Sequence, residues 1–114
     1  MATDIRAILR YADVSAQKAR LVVDMVRGKP ALEALNTLKY MPNKAARHVS
    51  KLLSSAVANA EENFGVSRDD LLVFQIMADE APTRKWRRFG ARGRFKPLLR
   101  RSSHLTIVLR ERQS

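Results

Sequence analysis

No cysteine occurs in the 114 residues, which excludes disulfides, thiolate metal sites and cysteine nucleophiles together. Histidine is nearly as scarce. His48 and His104 stand alone in sequence, and with no nucleophile motif beside either, an imidazole metal site or a catalytic dyad has nothing to build on. No stretch approaches the ~18 apolar residues of a membrane span, and Met1-Ala2-Thr3-Asp4 carries no apolar signal core. The expectation is a soluble protein that has no membrane span and stays in the compartment where it is made. Carboxylates do not cluster to hold a metal. Asp79-Glu80 adjoins Pro82, where a solvated turn balancing nearby positive charge accounts for the pair. No catalytic residue, metal or cofactor is expected.

What the chain has in excess is positive charge. With 22 Lys and Arg against 11 Asp and Glu, the net charge is +11, a field that attracts polyanions, nucleic acid first and an anionic membrane surface second. Residues 84–101 hold nine of the cations and no carboxylate. The rest of the chain keeps 13 cations and 11 carboxylates, so a nearly neutral body carries one strongly basic segment.

The body reads as a single α+β domain over 1–114. Ile5, Ala7, Leu9 and Tyr11 alternate with Arg6 and Arg10, the pattern of a strand with one buried face, although Ile8 interrupts the polar side. Ser15 fits the N-cap of a helix. Ala19, Val22, Val23 and Val26 supply its apolar stripe, and Gly28 fits its end. Pro30 is placed to open a second helix in its first turn, and Ala31, Ala34, Leu35 and Leu38 form its stripe before Met41-Pro42 stops it. Asn43 fits the cap of a third helix, whose apolar face runs from Ala45 through Val49, Leu52, Leu53 and Ala56 to Ala60, with Gly65 beyond. Leu71 to Ala78 is a nearly continuous apolar run, as in a central strand, and Ser103 to Leu109 alternates again. The two strands flanking the basic segment are natural antiparallel partners. The first strand can join them, giving a three-stranded antiparallel sheet packed against three helices.

The connection between those strands, about 79–101, far exceeds the ~2–5 residues of ordinary hairpin loops. As a two-stranded ribbon with ten residues each way, it would form an extended arm about 30 Å long. Gly90 and Gly93 suit a reversal near its middle. Trp86, Phe89 and Phe95 are interleaved with its arginines and cannot be buried in a core by so basic a ribbon. Arginine forks fit phosphate and stack on bases, and aromatic rings are platforms for unstacked bases, so the combination suits RNA. A solvated basic loop is the plainer alternative, and the aromatics count against it. Lys18, Arg20, Arg27 and Lys29 cluster around the first helix, where an ordinary polar face and RNA contact are both open readings.

Several motifs together carry a resemblance. Residues 15–29, Ser-Ala-Gln-Lys-Ala-Arg-Leu-Val-Val-Asp-Met-Val-Arg-Gly-Lys, closely resemble the first-helix signature of the bacterial large-subunit ribosomal protein twenty-two family. Ser55 to Ala60 is similar to its long-helix motif. Asp79-Glu80-Ala81-Pro82, Ala91-Arg92-Gly93-Arg94 and Arg101-Ser102-Ser103-His104-Leu105-Thr106 are similar to its hairpin and final strand, in order and spacing. The resemblance implies a non-enzymatic structural component of the cytoplasmic ribosome. Its expected partners are large-subunit rRNA, neighbouring large-subunit proteins and, at the hairpin tip, the nascent peptide in the exit tunnel; no homo-oligomer is implied. It places Lys18, Arg20, Arg27 and Lys29 at the rRNA. With them stand Arg84, Lys85, Trp86, Arg87, Arg88, Arg92, Arg94, Lys96, Arg100, Arg101, Ser102 and His104. It assigns the tunnel tip to Phe89, Gly90, Ala91, Arg92, Gly93 and Arg94. Two departures stand out: Phe89-Gly90 and Ala16-Gln17 occupy places where the family usually has Pro-Arg.

Two other classes compete. A free-standing DNA-compacting or RNA-chaperone protein would spread its charge rather than leave the body near neutral. A nuclease would need clustered carboxylates.

Overall fold

The computed structural model describes residues 4–82, 84–89 and 95–112, the last two segments through residue 100 as backbone. In chain order the elements are β1 (Asp4–Ala12), α1 (Ala16–Val26), α2 (Ala31–Lys39), α3 (Lys44–Phe64), a 3-10 turn (Arg68–Asp70), β2 (Leu71–Glu80), β3 (Arg84–Phe89), β4 (Phe95–Arg100) and β5 (Ser103–Glu111).

Local chemistry sets the helix ends. The Ser15 hydroxyl accepts a 3.4 Å hydrogen bond from the Lys18 amide and caps α1, satisfying one of the free N–H groups of its first turn. Gly28, at φ +83°, turns the chain after α1 in a conformation that costs glycine little. Pro30 lies one place earlier than expected: it is the N-cap of α2, outside the helix, and forms a bridge to Leu72. Asn43 occupies the cap of α3 without a side-chain bond, while Gly65 ends that helix at φ +66°. There the Val66 amide donates back to the Ala60 carbonyl, the six-to-one closure of a Schellman end. The 21 residues of α3 make a rod about 30 Å long, and its alanines allow close approach to α1, α2 and β1.

The body sheet runs β1–β5–β2, antiparallel throughout, and all three helices cover one of its faces. Ile5, Leu71, Val73, Ile76, Leu105, Ile107 and Leu109 point into that layer beside Val22, Val23, Val26, Val49 and Leu53. Two expectations are corrected here. Leu71 to Ala78 is an edge strand, not the central one; β5 lies in the middle. A register shift between Val73 and Gln75 leaves Phe74 and Met77 about 40% exposed, so the apolar run is not buried on both faces. Tyr11 does not join Ile5, Ala7 and Leu9. Its φ of +56° and a register shift between Leu9 and Ala12 turn Ala12 inward and leave the Tyr11 ring outside, edge-on to His104 at 4.7 Å.

β3 and β4 form a separate two-stranded antiparallel ribbon, the expected arm. The Cα radius of gyration is 17.1 Å, against about 13 Å for a compact chain of this length. With extents of 66 × 25 × 19 Å, the molecule is a small body with a projecting rod.

Candidate nucleic-acid interface

The arm grows out of the body sheet. Pairing between β2 and β5 continues to Glu80 opposite Ser103, the Ala81 amide then donates to the Ser102 carbonyl at 3.1 Å, and β3–β4 resumes with Arg84 opposite Arg100. The register goes on to set Arg87 opposite Pro97, Arg88 opposite Lys96 and Phe89 opposite Phe95. Pro97 is tolerated because a two-stranded ribbon leaves one edge of each strand unpaired. Two cross-strand positions, Arg84 with Arg100 and Arg88 with Lys96, therefore set cation opposite cation, an arrangement that destabilises a ribbon by itself. The expected tip is described at Phe89; Gly90, Ala91, Arg92, Gly93 and Arg94 lie outside the described residues. Arg84, Lys85, Trp86, Arg87, Arg88, Lys96 and Arg100 are all placed on the ribbon backbone.

At the arm's root lies a cleft of about 850 Å3. The first turns of α1 and α3 enter it from one side and Glu80, Ala81, Arg101 and Ser102 close it on the other. Lys18 and exposed Arg101 reach it, as does Lys44, whose ammonium pairs with Asp13 at 2.8 Å. Gln17, one of the departures from the family pattern, also lines it. The neighbouring departure, Ala16, is buried as the first residue of α1, so Ser15 caps the helix without the proline. Lys44 was not singled out by sequence, since a lysine opening an amphipathic helix carries no mark of what its first turn faces.

The four cations around α1 divide. Lys18 is exposed at the cleft. Arg20 donates from Nε to the Ala78 carbonyl at 3.1 Å. Arg27 donates to the Ile76 carbonyl at 2.9 Å and to Asp24 at 2.7 Å. The Gly28 amide donates to the Val73 carbonyl, and the Val73 amide donates to the Lys29 carbonyl, each at 2.9 Å. Together these bonds cover the outer edge of β2. An uncovered edge would be a template for pairing with another chain. Arg20 and Arg27 are thus anchored to the sheet, which leaves only the outward parts of their guanidinium groups open. His104 lies half-buried in β5, and its Nδ1 accepts from the Tyr11 amide at 3.1 Å.

Among the described residues no group of three or more His, Cys, Asp or Glu could hold a metal ion, and no helix is long and apolar enough to cross a membrane. The family described as ribosomal protein L22p/L17e matches residues 7–110. The large ribosomal subunit protein uL22 of Caldicellulosiruptor saccharolyticus is 48% identical over 107 residues, spanning 94% of this chain and 88% of that protein.

Proposed function

This chain belongs to the ribosomal protein L22p/L17e family, and on that premise we propose that it is a structural, non-enzymatic constituent of the large subunit that organises rRNA through its basic ribbon. Its place is the cytoplasmic ribosome. The observation that carries the rRNA reading is the arm: residues 84–101 hold nine of the chain's cations without one carboxylate, and the ribbon described within them opposes like charges in its own register. Such a ribbon gains most where phosphates separate those charges, and each phosphate neutralised releases counterions. Arg84, Lys85, Trp86, Arg87, Arg88, Arg92, Arg94, Lys96 and Arg100 are the contacts of the arm. Lys18, Arg101, Ser102 and His104 serve at its root, and Arg20, Arg27 and Lys29 fix α1 against β2 while facing RNA with what they have left.

By the family resemblance, residues 89–94 form the tip and line the nascent-peptide tunnel. Phe89-Gly90 gives that tip an aromatic ring and a conformationally free residue in place of a rigid, charged pair.

The test is binding to large-subunit rRNA across a salt series, together with co-sedimentation with large subunits at high salt. Changing Arg87, Arg88, Arg92 and Arg94 to Gln should flatten the log–log salt slope by about three. An unchanged slope would assign the electrostatics to the body. Release from subunits in high salt would favour a free-standing nucleic-acid binder.

A further inference from the structure

We propose that the helix-free face of the β1–β5–β2 sheet is a second RNA-docking surface, which takes a single-stranded rRNA segment alongside β1. The inference rests on the RNA-binding reading above and extends it from His104 across the sheet to residues outside the arm and α1.

An antiparallel sheet covered on one side ordinarily alternates, with polar side chains on the side facing water. This one does not. Its outward positions include Ile8 at 49% exposure, Phe74 at 39% and Met77 at 40%. Val108 lies beneath them, only 4% exposed although no helix covers that face. The register sets Ile8 opposite Thr106, and Thr106 opposite Met77, so the patch crosses all three strands. At ~4.8 Å between strands it is about 10 Å wide. A contiguous apolar patch rimmed by polar groups marks an interaction surface.

The surrounding charge decides the kind of partner. Arg6 and Arg10 flank Ile8 on the same face of β1, both exposed, and neither makes an ion pair or hydrogen bond among the described residues. Arg110 places its guanidinium carbon 3.3 Å from the Phe74 ring centroid while it binds Asp4. At the arm end, the Tyr11 ring meets His104. The carboxylates of this face are Asp4, neutralised by Arg110, and Asp79, opposite His104. Rings stand at both ends, apolar side chains between them, and two exposed arginines line one edge, of which Arg6 also acts at longer range on the Asp4 carboxylate. Single-stranded RNA uses all three features: bases stack on rings and arginine planes, and phosphates run along the cations. A basic protein neighbour would be repelled by Arg6 and Arg10, and an acidic one would leave the aromatic ends unexplained.

The absence of cysteine allows single-site probing. Ile8→Cys, carrying a tethered iron–EDTA radical source, is assembled into large subunits beside two reporters, Phe89→Cys on the arm and Lys51→Cys on exposed α3. Discrete rRNA cleavage from residue 8, distinct from that of residue 89, is expected. Cleavage from residue 89 without any from residue 8 overturns the proposal and leaves the arm's role standing. Cleavage from none of the three overturns both. Cleavage of a neighbouring polypeptide from residue 8, with no rRNA cleavage from it, overturns it in favour of a protein partner. Independently, the surface double variant Arg6→Gln with Arg10→Gln should flatten the salt slope for binding large-subunit rRNA by ~1.5. A wild-type slope in that variant, with wild-type binding intact, likewise overturns it.

Discussion

Asp4 and Arg110 face each other across β1 and β5, joined by two hydrogen bonds of 2.7 and 3.0 Å. The hydrogen bond from Arg110 holds the Asp4 carboxyl below the ordinary aspartate range, and the same contact raises Arg110. Because the unfolded chain takes up that proton at a higher pH than the folded one, the pair's contribution is present above pH ~4 and is lost as pH falls through the lowered value. An NMR titration of Asp4 should show a midpoint below ~3.9, returning towards it in Arg110→Gln. Asp4→Asn should reduce the loss of stability on acidification below pH ~4. A midpoint at the ordinary value would mean the pair is not formed in solution. Arg27 offers a second test at this scale. Arg27→Ala removes the donor to the Ile76 carbonyl on the β2 edge, and the partial exposure of the group keeps the expected loss in denaturant titration to about 1 kcal/mol. Lysine there should recover less than half, since it cannot serve Asp24 and Ile76 with one fork. The caps at Ser15 and Gly28 were legible in the sequence because each depends on residues within one turn. The anchoring of Arg20 and Arg27 was not, since their acceptors lie 58 and 49 residues away. A positive charge on a helix says nothing about which distant carbonyl it will meet.

Among the elements, α3 was the most legible, because its apolar stripe repeats over five turns and only a helix satisfies that period. The pairing of β2 with β5 followed from the long connection between them. The position of β2 in the sheet did not: an apolar run records burial, and here the α1–α2 connection supplies at one edge what a neighbouring strand would supply in the middle. Tyr11 was misplaced for a related reason, since one left-handed residue reverses an alternation that otherwise predicts the facing of β1. The arm carries the sharpest test at this scale. Lys96 stands opposite Arg88, so Lys96→Glu replaces a like-charged pair with an opposite one, worth about 0.2–1 kcal/mol to the ribbon. Amide exchange across 84–89 and 95–100 should slow in the free protein, while affinity for rRNA falls and its salt slope flattens by at least ~0.7. Both effects moving in the same direction would mean the ribbon's charge is not matched to phosphate.

For the whole molecule, the near-neutral body and the concentrated charge of 84–101 were plain from the sequence, and they correspond to a body sheet and a separate ribbon. The core cluster is assembled from residues between Ile5 and Ala78 and from Leu105, Ile107 and Leu109. Replacing residues 83–99 by an Asn-Gly turn should therefore leave a folded body, with a melting temperature within a few degrees of the full chain. The truncated protein should still enter large subunits through Lys18, Arg101 and the α1 face, and density for those subunits should show a wider tunnel. Its loss from subunits, with the body folded, would identify the arm as the anchor.

The continuity of β2 with β3, and of β4 with β5, has a mechanical consequence. Tension applied at the far end of the ribbon pulls β2 and β5 the same way, so it does not unzip them from each other. It shears β5 against β1, and β2 against the Gly28–Lys29 backbone bonds and the Arg20 and Arg27 forks, loading many bonds in parallel. The arm is thus held along its axis as a strut is, hard to draw out of the body that carries it.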